Sequence, residues 1–245
     1  MIMYQEIFNE ALQQLKHIAE GVNNPWTVWV SLFGVFVALL LGVVGIFQDW
    51  IRSRFRKPNL NVSIKVAPPD CHKTSFYRSD VDRKVCDTYY FRFRVENTGN
   101  FYAEDVEAMI TEVYRKEGEQ YEKVTEFLPL NLVWSHYRQI TIPKIQPKLF
   151  KHLDLGYIIK PENEYLTRFN ITTQPNVIFE LDVAVRPNTG SHILIPGDYK
   201  IKIVFAANNH RPVEKIYILT IKDIWNDDEQ EMLNKNVSIK EESYA

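Results

Sequence analysis

The chain of 245 residues has only two cysteines, Cys71 and Cys86, too few for a disulfide-stapled scaffold. Its charge does not lean: 29 Lys and Arg stand against 31 Asp and Glu, so the net charge of −2 gives no reason to expect nucleic acid as a partner. There is no internal repeat and no low-complexity segment. There is also no phosphate-cradling glycine loop, no G-x-S-x-G and no H-E-x-x-H, so no motif carries an assigned chemistry. Long hydrophobic runs are equally scarce, with one exception.

That exception is Trp26–Phe47, twenty-two residues without a charge. As a helix it spans about 33 Å, enough to cross a hydrocarbon core of about 30 Å. Asn24 suits an N-cap and Pro25 the first helical position, while Trp26, Trp29 and Trp50 suit interfacial belts. A transmembrane helix is therefore expected over residues 25–50. A cleaved signal peptide needs a basic n-region and a shorter apolar core; here Glu6, Glu10 and Glu20 precede the run against Lys16. Arg52, Arg54, Arg56 and Lys57 form a basic juxtamembrane linker over 51–58, positioned to meet anionic head groups. The positive-inside rule then gives a single-pass protein of the cell inner membrane, with its N-terminus outside and its C-terminal domain cytoplasmic. Gly34, Ala38 and Gly42 recur every fourth residue, a small-residue row through which such helices self-associate, so a homo-oligomer is expected. Ahead of the anchor, residues 1–24 place Ile7, Phe8, Ala11, Leu12, Leu15 and Ile18 at amphipathic-helix spacing; the polar face, with Asn9, Gln13, Gln14 and Lys16, is not rich in Lys and Arg, which favours packing against a partner.

Past Pro58 the apolar period falls from 3.6 to 2. Leu60, Val62, Ile64 and Val66 alternate with polar residues. Similar runs follow at 89–95, 106–114, 150–159, 177–185, 199–205 and 215–221, separated by turn residues such as Asn97-Thr98-Gly99-Asn100 and Pro196-Gly197-Asp198. This pattern predicts a mainly β, antiparallel sandwich over 59–222 with no convincing helix. The stretch Val95-Glu96-Asn97-Thr98-Gly99, followed by Ala103 and Val106, resembles the V-x-N-x-G-x-x-x-A-x-x-V signature of bacterial immunoglobulin-like modules of the cell-adhesion-related type. That resemblance implies a turn at the Asn-x-Gly, with the alanine and valine entering the next strand toward the core. Ile195–Ile203 is similar to the late strands of such folds, and Tyr199 stands where a tyrosine corner forms. Phe127–Leu130 through Trp134-Ser135 is similar to uncharacterised bacterial single-pass proteins with one β-domain. The resemblance is structural and transfers no active site. The last 23 residues hold seven acids against Lys235 and Lys240, and read as a solvated tail.

Candidate chemistry is thin. Cys71, His72 and Cys86, with Asp70 and Asp87, lack zinc-ligand spacing, so neither a metal nor any other cofactor is expected. The two cysteines would be bonded if the domain were exported and reduced if it were cytoplasmic. Ser135 and His136 are adjacent, so on a strand they point apart; His152 and Asp154 share a face but lack a nucleophile. In Tyr89–Arg94, Arg92 and Arg94 share one face and are the candidate contacts for an anionic ligand. The expectation is a membrane-anchored, non-enzymatic interaction or scaffold protein recognising a protein partner or small ligand. The alternative is a nucleotide-sensing, membrane-disrupting effector of bacterial antiviral defence that oligomerises through its helix. A third possibility, an exported adhesion module, requires the opposite topology.

Overall fold

The computed structural model describes residues 9, 12, 13, 16, 25–78, 83–135 and 138–242. The N-terminal amphipathic helix expected over 1–24 lies outside them except for Asn9, Leu12, Gln13 and Lys16, which are helical and exposed. Two compact units divide the chain after Phe55. The first contains helix α1, Pro25–Phe55, opening on the expected proline. Its stretch Trp29–Gln48 is long and apolar enough to cross a membrane, and none of that stretch is buried. A core helix of a soluble domain would bury such a surface, whereas Leu39, Leu41 and Phe36 here are each more than half exposed.

The second unit is mainly β. In chain order it contains β1 (Leu60–Ser63), β2 (Cys71–Arg78), β3 (Arg83–Asn97), β4 (Ala103–Glu117), β5 (Gln120–Lys123), β6 (Leu130–Asn131), β7 (Thr141–Ile145) and β8 (Phe150–Ile159). Helix α2 (Asn163–Arg168) follows, then β9 (Ile178–Leu181), β10 (Ile193–Leu194), β11 (Gly197–Ala207) and β12 (His210–Ile221). The chain continues through the short helix α3 (Glu229–Glu231), a π turn at Met232–Asn236, and β13 (Val237–Glu241). One antiparallel sheet runs β1-β3-β8-β9-β10, with β2 also on β3; the other runs β13-β12-β11-β4-β5, with β6 and β7 also on β4. Their inner faces share one core. Phe93 of the first sheet meets Phe205 edge-on at 5.8 Å and Tyr217 at 4.8 Å, both from the second.

The crossing from β3 to β4 follows the expected turn. The Asn97 side chain is fully buried, and its Oδ1 accepts from the backbone N–H groups of Asn59 (3.1 Å) and Gly99 (3.0 Å). Its Nδ2 donates to the carbonyls of Phe101 (2.6 Å) and Ile145 (3.0 Å). Residue 99 must be glycine because a Cβ would lie 2.3 Å from the Lys57 carbonyl oxygen and 2.6 Å from the Asn59 nitrogen. Ala103 and Val106 then enter β4 fully buried. Tyr199 is also where expected: its buried ring directs the hydroxyl to the Ile195 carbonyl at 2.8 Å.

Three expectations change. Residues 71–78 fall in none of the alternating runs expected to be strands, yet they form β2, which is mostly half-buried. Asn163–Arg168 forms a helix, buried only through Leu166, so its amphipathic signal is a single residue. The C-terminal segment is not a solvated tail. Met232, Leu233, Val237 and Ile239 enter the core, and β13 pairs with β12 from Tyr217↔Glu241 to Ile221↔Val237. Its acids serve the first sheet: Asp223 Oδ1 accepts from the Asn176 N–H at 2.6 Å, Glu229 from the Lys73 N–H at 3.0 Å, and Asp227 pairs with Lys73 Nζ at 3.3 Å. Removing Met232 from this closure leaves a cavity. Met232→Ala is expected to lower unfolding stability by about 2–4 kcal/mol in thermal melts, against less than about 0.5 kcal/mol for the exposed neighbour Lys235→Ala.

Candidate functional site

The chemistry-bearing side chains gather on the outer face of the first sheet. Strand alternation places them there: β3 turns Phe91, Phe93 and Val95 into the core and Tyr90, Arg92 and Arg94 outward. On β9, Phe179 and Leu181 face the core, leaving Glu180 to face α2 and the covering loops, with Asp182 following just beyond the strand. An aromatic group ties the strands together. Phe76, Tyr90 and Tyr157 meet with ring centroids 5.3–6.5 Å apart, joining β2, β3 and β8. Polar groups lie on both sides of it.

On one side is Asp70, buried in the turn after the cis Pro68–Pro69 bond. Its Oδ1 receives Arg94 Nη2 at 3.1 Å and His152 Nε2 at 3.0 Å. Arg92 donates to the Pro69 carbonyl at 2.8 Å and lies 2.8 Å from His72 Nδ1. Burial and the Arg92 charge hold His72 below its ordinary pKa. Arg94 also stacks on the Phe150 ring at 4.2 Å. The two arginines expected to face an anionic ligand do share a face, and both bind the Ala67–Asp70 turn. His152 pairs with Asp70 rather than with Asp154, which instead accepts from the Ser135 hydroxyl at 2.5 Å. Residue 136 lies outside the described residues.

On the other side, Glu180 and Asp182 are almost completely buried. Arg186 Nη2 lies 3.1 Å from Glu180 Oε1 and donates to the Tyr157 hydroxyl at 2.8 Å; Tyr165 of α2 donates to Glu180 Oε2 at 2.6 Å. Arg138 reaches Asp182 at 3.3 Å, leaving Asp182 Oδ2 without a partner. Burial raises the Asp182 pKa, offset by Arg138 and then Arg186. His192 is fully buried, with Nε2 3.8 Å from Glu180 Oε1 and neither ring nitrogen hydrogen-bonded. Its burial lowers its pKa, although Glu180 opposes this. Sequence reasoning missed this group. The alternation Glu180-Leu181-Asp182 carried the signal, but Arg138, Arg186 and His192 come from loops whose return to the sheet no local pattern specifies.

Elsewhere, Cys71 and Cys86 are free thiols. Their strands are paired, with Cys71 opposite Phe91 and Phe76 opposite Cys86. Five residues of strand therefore separate them by about 16 Å, beyond the about 7 Å that a disulfide allows. Burial pushes the Cys71 thiol up to about 12, so it is also unreactive. The pair therefore cannot report compartment through a bond. Among the described residues no three His, Cys, Asp or Glu side chains are placed to hold a metal ion. Gly34, Ala38 and Gly42 are exposed on α1, with nothing within 4 Å of a Cβ built at Gly34 or Gly42. Arg52 and Arg54 lie within the last turn of α1, and Arg56 and Lys57 follow it, exposed.

The chain matches no known family model and no curated protein sequence. What can be said of the site therefore comes from its own geometry, which is one of mutual neutralisation around buried carboxylates.

Two outcomes follow from it. Removing the Asp70 carboxylate leaves Arg94 and His152 without their shared acceptor, so Asp70→Ala is expected to cost about 2 kcal/mol in chemical denaturation, discounted for the part-exposed arginine. His192 works through pH. Its folded pKa lies below the unfolded value of 6.5, so the unfolded chain binds more protons and stability falls as pH drops through 6.5. Asp182 has the opposite sign, because acid relieves the burial of its charge. Unfolding curves at pH about 7 and about 5 are expected to show a smaller acid-induced loss in His192→Gln than in the parent.

Proposed function

We propose that the protein is a single-pass membrane protein whose β-domain is an immunoglobulin-like, non-enzymatic interaction module on the cytoplasmic side, holding a protein partner at the bilayer. The observation that carries this reading is the pair Arg138 and Arg186. Their side chains are 62% and 49% exposed, yet each is fixed on a carboxylate that is 1–2% exposed. Val185, the chain neighbour of Arg186, is 69% exposed. Arginines already held in place lose little freedom on binding, and arginine beside an apolar contact is the composition of interface hot spots. The Asn97–Gly99 turn and the Tyr199 hydroxyl contact support the immunoglobulin-like assignment. The exposed row Gly34, Ala38 and Gly42 supports self-association of the anchor. The effector reading draws its nucleotide contacts from Arg92 and Arg94, and their commitment to Pro69, Asp70 and His72 favours the interaction module over it.

A photo-crosslinking residue at position 185 is expected to give a discrete adduct with a second protein in intact cells. That adduct should disappear in the Arg138→Ala, Arg186→Ala double variant. Turnover of phosphoester, acyl or glycosyl substrates by the purified full chain would overturn the reading. Topology needs an exposed thiol, since Cys71 is buried. With Cys86→Ser in place, a cysteine substituted for the half-exposed Val85 is expected to react with maleimide only after permeabilisation. Labelling in intact cells would place the domain outside.

A further inference from the structure

One end of the β-domain differs from the rest of its surface. It is built from the residues that open the domain, the β3–β4 turn and the β7–β8 turn. These are hydrogen-bonded into one piece. The Lys57 N–H donates to Asn100 Oδ1 at 2.9 Å, and the Asn97 N–H to the Leu149 carbonyl at 3.0 Å. The Lys148 N–H donates to the Asn97 carbonyl at 2.7 Å, and Lys148 Nζ to the Thr98 carbonyl at 2.6 Å.

This end is basic. Arg56, Lys57, Lys144 and Lys148 are all exposed, and among the described residues none of them makes an ion pair. The outer face of the second sheet shows the contrast: Lys123, Lys200, Lys202 and Lys215 are each matched to a glutamate. Of the nearby acids, Glu104 stands opposite Lys144 in the β4–β7 ladder without forming an ion pair with it, and the Asp105 carboxylate is engaged by Asn208 Nδ2 at 2.7 Å. Aromatic and aliphatic groups accompany the charge. The Lys144 ammonium lies 4.5 Å from the Tyr102 ring centre and the Arg56 guanidinium 5.8 Å from that of Phe101, both rings half-exposed. Leu149 is 55% exposed at the β7–β8 turn. Unpaired cations, half-exposed aromatic rings and an exposed leucine together are the composition of a surface that rests at a lipid interface.

We propose that this end of the domain docks on anionic lipid head groups, with Lys144 and Lys148 against phosphates and Leu149 at the acyl boundary. The occupant follows from chain continuity as well as charge. Lys57 belongs to this patch and is two residues along the chain from the last residue of α1, a reach of about 7 Å. The inference rests on the membrane-anchored reading above and adds to it a lipid contact made by the β-domain itself.

The test uses the full chain in nanodiscs of phosphatidylcholine alone, or with about a third phosphatidylserine, and follows lysine acetylation by mass spectrometry. In the anionic discs, acetylation of Lys144 and Lys148 is expected to slow about fivefold and to recover at high salt. The exposed lysines Lys116 and Lys222, on other parts of the domain, should be unchanged. Equal rates for Lys144 and Lys148 in the two compositions overturn the docking, as does slowing shared by Lys116 and Lys222. Flotation of the same samples separates the two claims: protein that floats without a composition effect leaves the anchor standing and the docking overturned. Protein that does not float overturns the anchor and the docking with it.

Discussion

The β-domain depends on the four hydrogen bonds of one buried amide. Asn97 satisfies both of its donors and both of its lone pairs on backbone groups of the segment that opens the β-domain, the β3–β4 turn and β7. Apolar burial has no direction, and a sandwich core would tolerate several positions of these three segments. A buried amide with every hydrogen bond made tolerates only one, because any shift leaves a donor or acceptor stranded. From that point β3 sets three ladders of the first sheet, pairing β1 along its C-terminal part, β2 along its N-terminal part and β8 on its other edge.

The outer face of this sheet follows a second constraint. Where α2 and the loops cover part of this face, carboxylates lose their water and must find partners. Asp70, Glu180 and Asp182 do so with arginines from β3 and from loops, and Tyr157 and Tyr165 complete the Glu180 side. The second sheet, whose outer face carries the ion pairs of Lys200, Lys202 and Lys215, uses exposed and weakly stabilising pairs instead. One chain thus displays both forms of electrostatics, and the buried form marks the face that is covered.

Much of this was legible in the residues. Period-2 alternation located β4, β8, β11 and β12, and the Asn97-Thr98-Gly99 stretch located the turn. The apolar run located α1 because hydropathy over twenty residues needs no tertiary information. Arg92 and Arg94 were placed on the correct face, but the turn that occupies them was not visible, since Pro68-Pro69-Asp70 folds back through contacts far along the chain. The acids of the C-terminal segment misled for the same reason. Charge density argues for solvation unless the neighbouring Met232, Leu233, Val237 and Ile239 are weighed against it, and their spacing changes from helix to strand within six residues.

The attachment of Lys57 to the Asn97 turn has a mechanical side. The chain leaves this anchorage directly into β1, whose ladder to β3 runs from Leu60↔Asn97 to Ser63↔Arg94. Antiparallel ladder bonds lie perpendicular to their strands. A pull on Lys57 along β1 therefore loads those bonds in shear, all at once, together with the Asn97 amide and the backbone bond from Asn100 to the Lys57 carbonyl. Tension that enters through Lys57 along β1 is met by a clamp that yields as a unit, so the domain can bear such a load without peeling from its first strand.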